Sequence, residues 1–425
     1  MTKIKKILIL LLSIFLISIV AACSNDHEAM EGDDHEVEGE GHNETEDSEG
    51  HGDNHNASSE IVTNGLLHLN TKNITRLNSE DPFEVAVLTS QTIWPATHEA
   101  NQPGTIMLAP LENWQLALAS LNLVHHPNDG PLLFTPNGEI PSLIMSEIER
   151  LNPKGNVDGT EIMVIGHLEA AALEQLAHYN VIHINEEDPA ALAYEIDDIY
   201  SQLINNVPSS VIIGSLEESA KHYTIPAGSW ITHMDESILF VTENGVPDET
   251  IAALEKRNGN ATMYLIGPET VISEQVALQL EQFGNVVRID GETPEQVSIE
   301  FAKFKDHETG FGWGVNKPGH GLVMVSTEVP ELAITAAPFA HLGKHAPMVW
   351  LHDGVFTGTM HEYLELLKPM FEHDPTEGPY NHGYLIGNEA LVSFQVQGYI
   401  DEMLEIVPAS GGGHGDHGAH GGHNH

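Results

Sequence analysis

Arg76-Leu-Asn-Ser-Glu-Asp-Pro82, His183-Ile-Asn-Glu-Glu-Asp-Pro189 and Arg288-Ile-Asp-Gly-Glu-Thr-Pro294 open three segments of this 425-residue chain in the same way. The proline follows the first residue by six each time, and the starts lie 107 and then 105 residues apart. A period of this regularity marks a repeated structural unit. Each opening reads as the end of a short apolar strand, a polar turn, and a proline whose fixed φ suits the first turn of a helix. The helices predicted to follow cover residues 83–91, 190–204 and 295–305.

Three more pieces recur outward from these openings. Thr105-Ile-Met-Leu-Ala109, Ser210-Val-Ile-Ile-Gly214 and Gly321-Leu-Val-Met-Val325 are β-rich runs that pass into helices of small residues. Pro131-Leu-Leu-Phe-Thr135, Ser237-Ile-Leu-Phe-Val241 and Pro347-Met-Val-Trp-Leu351 each precede a turn and an amphipathic helix. Ile162-Met-Val-Ile-Gly166, Met263-Tyr-Leu-Ile-Gly267 and Gly383-Tyr-Leu-Ile-Gly387 each end a strand on glycine. Continuous apolar strands alternating with helices predict a parallel sheet covered on both faces. The expected fold class is α/β, with three tandem doubly wound parallel-sheet units of Rossmann or Toprim-like kind. Right-handed crossovers gather the strand-to-helix loops at the carboxyl edge, the default place for a ligand.

The ends read differently. Lys3, Lys5 and Lys6 precede an apolar run of 14 residues, Ile7 to Val20, and then Val20-Ala21-Ala22-Cys23. This is the order of a secretory signal, and the run would span only about 21 Å of a bilayer core roughly 30 Å thick. Cys23 is the single cysteine, so it has no intrachain disulfide partner, and its setting resembles the lipobox of bacterial lipoproteins. That resemblance implies lipidation (palmitate) of Cys23 and a membrane anchor. The domain reading is signal peptide 1–22, disordered acidic His-rich tether 23–58, repeats at 59–185, 186–289 and 290–409, and a disordered Gly/His-rich tail at 410–425.

The formal net charge is −47, and it becomes −50 without the three signal lysines. Such a surface repels nucleic acid and anionic headgroups, which excludes them as direct partners. Within 59–409 alone, 49 acids face 13 bases. This suits a saline or alkaline habitat and equally a cation-binding surface.

The order of strand, Arg-Ile-x-Gly-x-x-Pro-like turn, helix, small-residue helix, Pro-Leu-Leu-Phe-Thr-like strand and Ile-Gly turn resembles the cell-wall-binding repeat type 2 family of Gram-positive bacteria. The resemblance covers about residues 68 to 408. It implies three copies around a pseudo-threefold axis that bind anionic secondary wall polymers or peptidoglycan-associated glycan, without catalysis. The chain departs from the family pattern at Leu332 and Trp114, where an aspartate is usual, and keeps Ala336-Ala337-Pro338-Phe339-Ala340.

Arg76, His183 and Arg288 share one position in the repeat and are the candidate ligand-binding residues; threefold packing would gather them into one cationic spot. The alternative is that each pairs with an acid of its own copy, such as Glu80, Glu187 or Glu292. His414, His417, His420, His423 and His425 are candidate ligands for zinc, nickel or copper, and calcium suits the acids. A flexible tract imposes no geometry, so weak, unselective binding is expected there. His341 with His345, His352 with Asp353, and His125-His126 are further histidines, none in a His-Glu-x-x-His motif. Gly310-Phe-Gly-Trp-Gly314 does not lead from strand to helix, so it is not a phosphate cradle. No Gly-x-Ser-x-Gly elbow or phosphate-binding loop is present, and no enzyme is expected. Two functions follow: a wall-polymer-binding lipoprotein on the outer face of the membrane, and an extracytoplasmic metal-binding or buffering lipoprotein.

Overall fold

The computed structural model describes residues 69–342 and 345–410. Cys23 and the histidines from His414 onward lie outside them.

The repeated openings fold as their chemistry dictates. Strand β1 (Ile74–Leu77) leads to helix α1 (Pro82–Ile93), β5 (Val181–Ile184) to α5 (Pro189–Leu203), and β9 (Gly284–Ile289) to α10 (Pro294–Lys303). Proline occupies the first helical turn each time, where its missing N–H costs nothing. The residue before it caps the helix. Asp81 accepts from Phe83 N–H, Asp188 from Ala190 and Ala191 N–H, and Thr293 from Gln296 N–H.

The remaining elements repeat in the same order. The first unit holds β2 (Ile106–Ala109), α2 (Trp114–Ser120), β3 (Leu132–Phe134), α3 (Ser142–Leu151), β4 (Ile162–Ile165) and α4 (Ala170–Gln175). In the second are β6 (Ser210–Ser215), α6 (Lys221–Thr224), α7 (Ala227–Ile231), β7 (Ile238–Val241), α8 (Asp248–Glu255), β8 (Ala261–Ile266) and α9 (Glu274–Leu280). The third has β10 (Gly321–Ser326), α11 (Glu331–Ala336), β11 (Met348–Leu351), α12 (Gly358–Leu366), β12 (Met370–Phe371), β13 (His382–Ile386), α13 (Phe394–Leu404) and β14 (Val407–Pro408).

Three four-stranded parallel sheets result, with orders β3-β2-β4-β5, β7-β6-β8-β9 and β11-β10-β13-β1. The α/β class and the repeated sheet unit expected from the sequence are thus what the chain forms. Central strands β2, β4, β6 and β10 are buried along their whole length, and β8 and β13 at all but one residue each, as a sheet covered on both faces requires.

The sheets are not cut from contiguous sequence. The third takes its fourth strand from the start of the described residues, with Ile74 opposite Gly383 and Leu77 opposite Ile386. Among the described residues after α13, β14 pairs with the short β12 and not with the third sheet. In each opening the strand therefore completes one unit while its helix covers the next: α1 packs on β3, α5 on β7 and α10 on β11. The three turns bridge successive units, and β1 closes the series.

The small-residue helices meet one another. Helix α11 packs on α1, α2 and α7, and α7 reaches the 3-10 turns that follow α2 and α11. Gly228 sets the approach: a Cβ there would lie 2.8 Å from Leu121 Cδ1, 2.9 Å from Leu118 Cδ1 and 4.0 Å from Ala337 Cβ. Glycine and alanine at this centre let three backbones pack where larger side chains would hold them apart.

Candidate functional site

Each Ile-Gly turn ends a strand with a carbonyl that the ladder does not use, and the shared position of Arg76, His183 and Arg288 supplies its donor. Arg76 Nη1 donates to Gly387 O (3.2 Å), His183 Nε2 to Gly166 O (2.8 Å) and Arg288 Nη1 to Gly267 O (3.0 Å). The glycines carry φ of 119°, 71° and 117°, a region that penalises a Cβ. Because a carbonyl only accepts, His183 carries its proton on Nε2.

The structure thus places the three equivalent side chains on edge strands of three different sheets, each engaged with a turn beside it. Arg76 is wholly buried, with Nε on Gln397 Oε1 (2.7 Å) and Nη2 on Val392 O (2.7 Å). Burial pushes its guanidinium down to about 10, with Glu389 acting against it. A ligand has no access to it. Glu80, the acid considered as its partner, accepts instead from Asn388 Nδ2 (3.0 Å).

Arg288 differs. Two of its five N–H groups go to Gly267 O and Ile272 O, and the half-buried side chain lines an open cleft of about 300 Å³. Ile289 and Asp290 follow it on one wall; Glu300 and Lys303 of α10, Phe304 at its end, and Asn316 form the other. Lys303 Nζ meets Glu300 Oε1 at 2.6 Å, and Asn316 Nδ2 donates to Lys303 O at 2.8 Å. Two cations balance two carboxylates in a globule otherwise heavily acidic, beside the ring of Phe304. Such a lining can hydrogen-bond hydroxyls and anionic groups together. Lys303 and Asn316 carry no motif in the sequence; only the packing of α10 against β9 brings them to Arg288.

The histidines gather elsewhere. His125, His233 and His341 follow the three central small-residue helices and lie 108 residues apart in both intervals. That spacing is close to the 107 and 105 residues between the repeat openings and was the signal that could have singled out His233. His341 Nε2 meets Asp129 Oδ1 at 2.9 Å, and His126 Nδ1 meets Asp129 Oδ2 at 2.9 Å. His125 Nδ1 lies 2.7 Å from Tyr200 Oη and 3.3 Å from Asp235 Oδ1, with its ring centroid 4.7 Å from that of His341. His233 Nε2 lies 3.2 Å from His345 Nδ1, and its ring stacks on Trp313 at 5.0 Å. His352 and Asp353 form only an exposed pair at 3.7 Å. Among the described residues no group of three or more His, Cys, Asp and Glu is arranged to hold a metal ion.

No family model and no curated protein matches the chain. Among solved structures, its fold is similar to Cwp6 from Clostridium difficile, with TM-score 0.63 and 17% identity over 78% of this chain and 48% of that one. It is likewise similar to Cwp8 from the same organism, with TM-score 0.60 and 17% identity over 79% of this chain and 52% of that one. The chain spans about half the length of each, and at this identity the likeness is one of fold.

Proposed function

We propose that this chain is an extracytoplasmic lipoprotein of the Gram-positive envelope, anchored through Cys23, whose three units contact a cell-wall polymer and catalyse no reaction. The observation that carries the reading is that nearly four-fifths of the chain shares its fold with two cell wall proteins. The junction cleft gives the contact a chemistry. Arg288 and Lys303 bind acidic or hydroxyl groups of a glycan, Asp290 and Glu300 recruit calcium to bridge its anions, and Phe304 packs against a sugar face.

Co-sedimentation of the mature chain with purified cell walls is the test. The expected result is calcium-assisted binding that survives removal of both His-rich tracts and falls roughly tenfold on Lys303→Glu, a charge reversal in the cleft. A chain that stays in the supernatant at every salt and calcium concentration would overturn the reading.

The ten histidines of residues 24–58 and 410–425 favour a second role in holding divalent metal. Calorimetric titration of zinc into full-length and tract-deleted protein separates the two, since micromolar binding lost with the tracts belongs to the tracts alone.

A further inference from the structure

The central histidines join units that the sequence keeps more than a hundred residues apart. His125, of the first unit, touches Tyr200 from α5, Asp235 from the loop before β7, and His341 from the third unit. Asp129 and His126 of its own loop complete its surroundings. His233, of the second unit, faces His345 and His341 of the third, Lys305 and Trp313 of the loop after α10, and His125. Glu236 of its own loop is tied to Trp230 Nε1 at 3.1 Å. On the far side, His345 with Lys317 adds to burial in lowering the affinity of His320 for a proton.

This setting disfavours imidazolium. Burial first, then the proximity of His341, lowers His125 to about 4, with Asp235 and Asp129 opposing. Burial first, then His345, His125, His341 and Lys305, lowers His233 to about 3. His233 Nδ1 is buried with no hydrogen-bond partner and Nε2 faces only His345 Nδ1, so the doubly protonated ring would hold an N–H with no acceptor.

We propose that His125 and His233 form a proton-operated latch at the centre of the three units, which holds the units together while these rings are neutral and releases them as the rings take up protons. The sign follows from linkage. A histidine whose affinity for protons is depressed in the closed state stabilises that state fully above the free value near 6.5, and the stability is lost as pH falls below it. At pH 5 the opening equilibrium rises by roughly 30-fold for each ring, since the open state binds a proton and the closed state does not. Strands β2, β6 and β10 carry no titratable side chain, so their interiors do not share this response. An acidic surrounding would thereby loosen the joint between units that still share a common core.

Amide hydrogen exchange on the mature chain at pH 7.5 and 5.0, corrected for intrinsic rates, tests this. The expected result is a rise in opening of at least roughly 30-fold across 121–130, 228–236 and 338–342, with the interiors of β2, β6 and β10 still protected. The double variant H125Q/H233Q keeps polar groups without a titrating proton and should lose this response, while His126→Gln, at an exposed ring, should keep it. Equal exchange at the two pH values, or an unchanged response in the double variant, would overturn the proposal. If the double variant does not fold, the ring proton resonances of the wild-type chain decide: His125 or His233 titrating near 6.5 in the closed protein overturns it, and a midpoint below 5 upholds it.

Discussion

Arg76, His183 and Arg288 occupy one position and bind one kind of partner, yet their surroundings give them different consequences. A carbonyl at a strand end must find a donor or lose the free energy of a buried hydrogen bond, and a long cationic or imidazole side chain on the adjacent strand meets that need. Arg76 satisfies three acceptors from within the core, whereas Arg288 satisfies two and borders the cleft. Arg76→Ala should therefore cost about 3–5 kcal/mol, because it strands buried acceptors and leaves a void. Arg288→Ala should cost about 1 kcal/mol. Urea unfolding midpoints at constant m measure both, and equal losses would show that burial does not set the difference. The shared position was legible in the sequence as a repeat register. The acceptor was not, because Gly387 lies 311 residues from Arg76 and nothing local to either names the other.

At the scale of elements, Asp81, Asp188 and Thr293 cap helices whose starts fall within a residue of those read from the Pro82, Pro189 and Pro294 turns. Caps and prolines act within one helical turn, so a single sequence displays them. Strand pairing acts across any separation. The sequence places Ile74–Leu77 beside the first repeat, and the fold pairs it with β13, where Ile74 and Leu77 are buried. Asn73 N–H reaches Asp401 Oδ1 at 2.7 Å, and Lys72 pairs with Glu405, so the strand is held at its root by α13 and the segment after it. A chain beginning at Ser79 should accordingly lose amide protection at β13 more than at β4 or β8, by hydrogen exchange. A synthetic peptide covering residues 69–80 should bind that truncated chain and restore protection, as strand addition to a vacated edge does. Loss spread evenly over the three sheets would contradict the closure of the third sheet by β1.

For the whole molecule, the three units share one large apolar cluster that runs from Leu77 and Val85 through Trp230 and Phe240 to Trp350 and Ile386. Units joined by a common core and by turns that bridge them should unfold together at neutral pH. Calorimetry should show one transition whose calorimetric and van't Hoff enthalpies agree, and three resolved transitions would mean that the units behave as independent beads. The sequence by itself determined the α/β class, the threefold repetition and the caps, since periodic burial and turn chemistry are local properties that neighbouring residues declare. Only the tertiary structure decided that the first strand serves the last sheet, that Lys303 and Asn316 meet Arg288, and that His233 joins His125 and His341 at the centre. Each of these contacts is set by closure of the chain over hundreds of residues, where packing selects the partner and no local preference distinguishes it from the alternatives.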